Sequence, residues 1–565
     1  MTALLESFIY DSRIAYFSME IALANDIPTY SGGLGVLAGD TMRSAADLDL
    51  PMVGVTLASR AGYFRQEIVD GRQVEQPEFW NPERYAQSLR AKIAMQIDGR
   101  EVWVGSWLYR VEGHLGGAVP VILLDTDLPE NAPEDRQITH HLYGGDVAYR
   151  LKQEMVLGIG GVRMLGALGL EIRKYHLNEG HAALLTVELL RRLAYAPQEA
   201  GSPEFRYNVP AVRQRCVFTT HTPVAAGHDR FSYALADKLM DNLIDGTMLR
   251  RLAGQEWLDM TQLALSLSEY VNGVARRHAE VSRRMFPGYQ VSAVTNGVHP
   301  WTWTCDSFRR LYTEHLPRWC HEPELLVRAD RIPDDALRQA HAEAKASLIQ
   351  HIAHLGGPAL DPGVPLLGFA RRMTQYKRPD LLFSDLGRLA GIAQRHPFHI
   401  VLAGKAHPHD GGGKWLIEQL HRWARELSGK VSVVFLPGYD MNLARLLVSG
   451  VDVWLNLPLR PLEASGTSGM KAAFNGVPSL SVPDGWWAEG WIEGVTGWAV
   501  GGEDDNDNAH DATSLYDKLE GHVLPLYYGD PSHWTAVMKG AITHNASFFN
   551  SHRMMRRYAV EAYLC

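Results

Sequence analysis

The sequence predicts an α/β protein made of two Rossmann-like, doubly wound domains that face a central cleft. Three observations carry this expectation. Short apolar runs rich in β-branched residues alternate with helix-period stretches, the wording of βαβ units around parallel strands buried on both faces. The alternation runs through residues 14–295, then restarts at Pro365. The chain has 565 residues, more than one compact core accommodates, so two domains of roughly 250 residues each are expected.

In the first block the strand runs are Ile14–Ser18, Met52–Leu57, Pro120–Leu124, Arg173–Leu177, Cys216–Thr220 and Val291–Thr295. Helical patterns cover Gly180–Leu193 and Trp257–Met285. A boundary near Asn296–Pro300 divides the chain into domains 1–298 and 299–565, with the last helix a candidate to cross back. Residues Asp306–His354 read as helical and lead into the second block. There the strands are Pro365–Phe369, His399–Ala403, Val431–Leu436 and Val451–Leu455, with helices at Pro379–Arg395, Lys414–Leu427 and Asn442–Val448. Gly501–Asp511, polar, acidic and aperiodic, reads as a surface loop. In doubly wound sheets ligands bind at the carboxyl ends of the strands, so motifs distant in sequence are expected to meet in one cleft.

Composition narrows the function classes. Apolar residues make up 46 % and charged residues 21 %, as in ordinary folded proteins. The formal net charge of −9 argues against general nucleic-acid binding and against electrostatic attraction to an anionic membrane. Four cysteines, Cys216, Cys305, Cys320 and Cys565, show no CxxC spacing and form no disulfide framework. The first residues are acidic where a signal peptide is basic, and Arg163 interrupts the best apolar stretch. A reduced, cytoplasmic protein is the expectation. The 15 Trp and 22 Tyr suit stacking on sugar rings but equally suit plain cores.

The most informative segment is Glu463–Gly476, EASGTSGMKAAFNG. It sets Lys471 in a turn of small residues (Gly466, Thr467, Ser468, Gly469) that opens a helix. A lysine there can hold a cofactor aldehyde, with backbone N–H groups nearby for a phosphate. Alone, Lys471 reads as a surface lysine; a second motif reverses that. Phe369–Arg378, FARRMTQYKR, places Arg371, Arg372, Lys377 and Arg378 directly after a strand. Such runs are ordinarily solvated helix faces. At a strand end facing a cleft, their mutual repulsion calls for an anion, phosphate being the obvious one. This reading is assigned to Arg372 and Lys377, not to Arg378. Tyr30–Asp40, YSGGLGVLAGD, supplies a glycine loop before a helix, a weak anion-binding signal by itself. Asn178, His181, His221 and Asn296 stand at strand ends, where they suit sugar hydroxyls. His140, His141, His407, His409 and Asp410 match no zinc spacing, and no metal is expected. No GxSxG motif, Walker motif or convincing glycosidase carboxylate pair is present.

Together these segments resemble the α-glucan phosphorylases of glycogen, starch and maltodextrin, closest to the short bacterial and archaeal branch. The resemblance rests on YFSMEIALANDIPTYSGGLGVLAGD, YRLKQEMVLGIGG, YHLNEGHAALL, FTTHTPVAAGHDRF, VTNGVHPWTW, GFARRMTQYKRPDLL, VLAGKAHP and LEASGTSGMKAAFNGVPSLSVPDGWWAEG, in family order over nearly the whole chain. It implies a two-domain glycosyltransferase fold and pyridoxal 5′-phosphate (PLP) held as a Schiff base to Lys471. It implies reversible, retaining phosphorolysis of an α-1,4-glucan by inorganic phosphate to α-glucose 1-phosphate, with the cofactor's 5′-phosphate as acid/base.

By the same resemblance Arg372 and Lys377 hold the substrate phosphate with backbone help from Gly33 and Leu34. Thr467, Ser468 and Arg371 contact the cofactor phosphate, and Trp303 and Tyr439 line the cofactor. Glu463, Ser465, Gly466 and Asn296 bind the reacting glucose, and His221 offers its side chain to the sugar and its carbonyl to developing positive charge. Relative to the long animal enzymes, Arg371 stands for a lysine, Thr374 for a histidine, Ser468–Gly469 for Gly-Asn, Asp440 for a cationic ligand and Ala22 for a tyrosine. The regulatory N-terminal extension of those enzymes is not seen, so control at that site is not expected; a homodimer is one family option. Two alternatives remain: a sugar-nucleotide-dependent glucan synthase of the same architecture, with no need of Lys471, and an inactive glycan-binding relative. Lys471, Arg372 and Lys377 together disfavour both.

Overall fold

The computed structural model describes residues 3–196, 206–224, 227–241, 243–502 and 507–564. The strands in chain order are β1 (Ile14–Phe17), β2 (Met52–Leu57), β3 (Arg65–Val69), β4 (Arg72–Gln76), β5 (Gln87–Ile97), β6 (Arg100–Glu112), β7 (Ala118–Asp125), β8 (Lys174–Asn178), β9 (Cys216–Thr219), β10 (Arg230–Ser232), β11 (Trp257–Asp259), β12 (Tyr270–Gly273), β13 (Ser292–Ala293), β14 (Leu366–Ala370), β15 (His399–Ala403), β16 (Ser432–Leu436), β17 (Val453–Asn456), β18 (Ser479–Ser481) and β19 (Gly497–Ala499). A nine-stranded sheet has the order β13-β12-β9-β8-β1-β2-β7-β6-β5, and a six-stranded sheet the order β16-β15-β14-β17-β18-β19. Every pairing in the second sheet is parallel. The chain is thus of the α/β class, with helices packed on large parallel sheets.

Alternation along β1 shows how the first sheet is buried on both faces. Phe17 belongs to the apolar cluster on one face, with Val55 and Leu177 at its own register position on the neighbouring strands. Tyr16 belongs to the cluster on the other. That second cluster is completed by Met554, Met555, Tyr558 and Tyr563, from the end of the described chain. The Tyr563 hydroxyl lies 2.7 Å from His176 Nδ1, and Asn272 Nδ2 donates to the Tyr558 hydroxyl at 2.9 Å. Residues 551–563 therefore leave the second sheet's neighbourhood and pack on the first sheet.

Several expectations need correction. Trp257–Met285 is not one helix. It breaks into β11, a helix Met260–Ser266, β12 and a helix Arg276–Met285, because Tyr270–Gly273 is a buried strand in the middle of the sheet edge. The first sheet is not purely parallel: β6 pairs antiparallel with both β5 and β7. These long strands alternate exposed and buried residues and so lack the continuous apolar signature. Pro379–Arg395 forms a regular helix only from Leu386. Gly501–Asp511 is more than a surface loop. Residues 503–506 lie outside the described residues, but a helix begins at Asn508, and Asp511 is fully buried. Cys565 also lies outside them; Cys216, Cys305 and Cys320 are free.

One polar contact set joins the two sheets. The β3–β4 hairpin reaches from the first half onto the strand-end loops of the second. Gln66 Nε2 donates to Gly404 O at 2.9 Å, Gln73 Nε2 donates to Ala406 O at 2.9 Å, and Gly438 N donates to Gln66 Oε1 at 2.9 Å.

Arg378, the cation without a ligand assignment, is structural. Its guanidinium donates to Leu457 O and Pro458 O, each at 2.9 Å, and to Asp511 Oδ2 at 2.6 Å, while Arg460 donates to Asp511 Oδ1 at 2.8 Å. Asp511→Ala removes the buried carboxylate that Arg378 and Arg460 share. A loss of about 3–5 kcal/mol in chemical denaturation is expected.

Candidate functional site

A cleft of about 990 Å³ opens at the carboxyl ends of the parallel strands of the two sheets. Loops after β1, β8, β9 and β13 meet loops after β14, β15, β16 and β17 on its walls. Every residue given a catalytic, cofactor-binding or substrate-binding role by the family resemblance lines it, Lys471, Arg371, Arg372, Lys377, Glu463 and His221 among them.

Lys471 sits on a short helix, Ser468–Ala473, entered through Gly466 at φ +80°, a conformation that favours glycine. Gly469 is needed for packing: a Cβ there would lie 2.6 Å from Trp486. The lysine is buried, with Nζ 3.9 Å from the centre of the Trp303 ring. Trp303 is oriented by donating from Nε1 to Asp40 Oδ2 at 2.7 Å. Asn475 Nδ2 ties the pair together by donating to Trp303 O at 2.8 Å and Lys471 O at 3.0 Å. Burial lowers the Lys471 ammonium to a pKa of about 8, partly opposed by Asp40. This amine is available as a nucleophile near neutral pH.

The cationic motif centres on Glu463. Lys377 Nζ donates to Glu463 Oε2 at 2.5 Å and Arg371 Nη2 donates to the same oxygen at 2.7 Å. Burial by itself raises the carboxyl pKa, but Arg371 and Lys377 outweigh it and hold the group below the usual range. Glu463 N donates to Asp484 Oδ2 at 2.9 Å. Burial pushes Asp484 itself up to about 6, against its backbone hydrogen bonds from Glu463 and Gly485. One carboxylate oxygen does not exhaust Arg371: its Nε and Nη1 are buried without a partner. Arg372 is exposed to the cleft. Ser465 Oγ and Asn296 Oδ1 are likewise buried, unpartnered and in the lining. Buried polar atoms are rarely left unsatisfied, so this group of unmatched donors and acceptors marks where an oxygen-rich ligand fits. Ser468 Oγ instead accepts from Trp454 Nε1 at 3.0 Å. Tyr439 stands at the same wall, and burial raises its phenol.

On the first sheet's side, Gly33 and Leu34 form the first turn of the helix Gly33–Asp47. The loop before them is shaped by Glu20, which accepts from Ser31 N at 2.6 Å, Gly32 N at 3.2 Å and the Tyr143 hydroxyl at 2.9 Å. Burial lowers the His221 imidazole to about 3, so it is neutral. Its Nε2 lies 2.6 Å from Asn178 Oδ1, and its backbone N donates to Glu179 Oε2 at 2.7 Å. Asn178 therefore supports His221 from behind and does not line the cleft, contrary to its expected place among the sugar-facing residues. Its other end explains this: Nδ2 donates to the buried Ser18 Oγ.

Sequence reasoning missed Glu20, Glu179, Arg150 and Asp229. Glu179 adopts φ +75°, uncommon for a non-glycine residue at a strand end, and its carboxylate holds the His221 loop. Arg150 bridges Asp229 at 2.8 Å and Glu154 at 3.1 Å. Burial, reinforced by Asp229, drives Glu154 well up, whereas Arg150 and His181 overcome burial to hold Asp229 at about 2. The spacing of these residues has no local pattern; only their convergence marks them.

Fold and cleft together define an α/β protein with a cationic cluster beside a buried lysine amine. Comparison with known proteins narrows this. The family model for carbohydrate phosphorylase matches residues 19–101 and 231–489. The chain is 38 % identical to a maltodextrin phosphorylase of Thermococcus litoralis, covering 98 % of this chain and 71 % of that protein. It is 37 % identical to a glycogen phosphorylase of Mycobacterium bovis (97 % and 70 %) and 35 % identical to one of Aquifex aeolicus (98 % and 86 %). The chain belongs to the carbohydrate phosphorylase family. Among the described residues, no helix is long and apolar enough to cross a membrane.

The lowered pKa of Lys471 has a sign that can be measured. Between pH 8 and 10.5 the unfolded lysine binds a proton that the folded one has released, so stability rises with pH across that window. Cofactor-free protein should gain on the order of 3 kcal/mol relative to Lys471→Met between these limits. Denaturation of both proteins at matched pH values reads the difference.

Proposed function

We propose that this protein is an α-1,4-glucan phosphorylase, carrying out reversible, retaining phosphorolysis of glycogen-, starch- or maltodextrin-type chains to α-glucose 1-phosphate. The observation that carries the reading is the buried Lys471 amine against Trp303, in one cleft with a glutamate held by two cations and an arginine with unused donors. In the architecture we propose, residues 1–298 and 299–565 are two Rossmann-like glycosyltransferase domains, with the last helix returning to the first. Three cysteines without disulfide partners suit a cytoplasmic location.

The residues present fit PLP. Lys471 would hold it covalently through its amine, the Trp303 ring and Tyr439 would flank it, and the unpartnered Arg371 N–H groups with Thr467 and Ser468 would receive its phosphate. When bound, that phosphate supplies a proton carrier with a second pKa of about 6. Arg372 and Lys377 bind and orient the substrate phosphate, with the first turn at Gly33 and Leu34 closing over it. Glu463, Ser465, Gly466 and Asn296 position the hydroxyls of the reacting glucose. The neutral His221 is fixed by Asn178 and Glu179, and its backbone carbonyl would face the sugar where positive charge develops. At the cleft's floor Lys471, Glu463, Lys377 and Asn296 are buried, which limits water there and favours transfer to phosphate over hydrolysis.

Two experiments test this. A cofactor absorbance spectrum followed by a phosphate-dependent assay on maltodextrins of graded length should show bound PLP and release of glucose 1-phosphate. Transfer from a nucleotide sugar without phosphate, or glucan binding without turnover, replaces the proposal with one of the two alternatives. Among variants, Lys471→Ala should lose bound PLP and activity. Arg372→Ala should raise the KM for phosphate by roughly 10–100-fold, the weight of one or two charged hydrogen bonds, with little effect on glucan affinity. Borohydride reduction should fix the cofactor to Lys471 and leave phosphorolysis largely intact.

A further inference from the structure

Away from the cleft, three fully buried side chains converge from distant parts of the chain. Asp47 ends the helix Gly33–Asp47, His299 follows β13 in the segment that leads into the second half, and His552 lies on the returning helix Ser551–Tyr558. One ligand atom from each lies within 4.8 Å of the other two, the sole such His/Cys/Asp/Glu group among the described residues. His299 Nε2 is 2.9 Å and His552 Nε2 3.6 Å from the same oxygen, Asp47 Oδ2.

The surroundings of each ring specify which nitrogen faces inward. His299 Nδ1 lies 2.7 Å from Thr302 Oγ1, and His552 Nδ1 lies 3.1 Å from Ser44 Oγ. A hydroxyl oxygen accepts from an imidazole N–H, so His552 can carry its proton on Nδ1 and present a lone pair at Nε2, and His299, whose Nδ1 now accepts from Thr302 N, can do the same after its proton shifts. That outward bond on Nδ1 is the usual support of a metal-bound histidine. His552 Nε2 is fully buried and has no hydrogen-bond partner. Asp47 Oδ1 accepts from Leu115 N at 3.1 Å, and among the described residues no lysine or arginine pairs with the carboxylate. One of the two imidazoles that face this buried carboxylate is therefore left unmatched, where buried polar atoms are ordinarily satisfied. Oxygen–nitrogen separations of 2.9 and 3.6 Å bracket the spacing of neighbouring ligands that each lie about 2.0–2.2 Å from one tetrahedral zinc ion.

We propose that Asp47, His299 and His552 form a structural site for a divalent cation of the zinc class, which staples the returning C-terminal helix and the inter-sheet segment to the first half. On binding, the ion accepts lone pairs from Asp47 Oδ2 and from both Nε2 atoms. The His299 proton moves from Nε2 to Nδ1 and is donated to Thr302 Oγ1, at the expense of the longer 3.2 Å bond from Thr302 N. No proton is released and no redox change occurs. A fourth position is left for water. No sequence spacing announces the site, because its three ligands are hundreds of residues apart.

The test uses the PLP-loaded protein stripped with a chelator and titrated with Zn²⁺ or Co²⁺ alone. One equivalent per chain should bind. The Co²⁺ form should show visible d–d bands of a low-coordinate site, and the thermal midpoint should rise by a few degrees, as for any ligand that binds only the folded state. His552→Gln keeps a polar side chain but removes the imidazole; it should bind at least tenfold more weakly and lose the metal-dependent rise. If wild-type protein takes up no stoichiometric ion, or its midpoint ignores the metal, the proposal is overturned. Equal uptake by His552→Gln overturns it as well. Because the wild-type titration stands alone, a poorly folding variant does not shield the proposal.

Discussion

The cleft is organised around one buried charge. Glu463 is an anion inside the protein, and its ionised form persists because Lys377 and Arg371 donate to the same oxygen. A buried carboxylate without such partners would be neutral. The pairing binds the loop after β14 to the loop after β17, which leads within a few residues to the Lys471 helix. It also leaves Arg371 only partly satisfied, so one interaction both holds the site together and keeps donors ready for a ligand. Asp484, beneath Glu463, fixes the backbone from which that carboxylate projects.

Support for the first-half wall follows another logic. Its ligand-facing groups are held by neutral or self-compensating contacts: Asn178 and Glu179 on His221, Glu20 on the glycine loop, Arg150 between two acids. The cluster of Arg371, Arg372 and Lys377 thus belongs to the second sheet's side of the cleft, and the contacts that shape His221 and the glycine loop belong to the first.

Much of this was legible in the sequence. The parallel strands were readable because burial on both faces leaves continuous apolar runs, as in Met52–Leu57 and His399–Ala403. The antiparallel strands β5 and β6 were not, because one face meets water and their charged residues dilute the signal. β12 was hidden inside a helix-period stretch, its identity set by a place beside β9 that no local pattern records. The glycine and lysine segments announced themselves by composition. Glu20, Glu179 and Arg150 did not, since their roles depend on the meeting of strand ends from separate parts of the chain. Arg378 shows the opposite limit: it shares a cationic run with Arg372 and Lys377, but its left-handed backbone at φ +47° turns it inward, onto carbonyls and Asp511.

The return of residues 551–563 to the first sheet has a consequence for how the chain is born. Tyr558, Tyr563 and two methionines cover an apolar face that the first three hundred residues cannot cover themselves. During synthesis that face stays open until residues 551–563 have been made and have packed back onto it. The first half is therefore a patient intermediate, exposed to chaperones and to sticking partners while the second half is made.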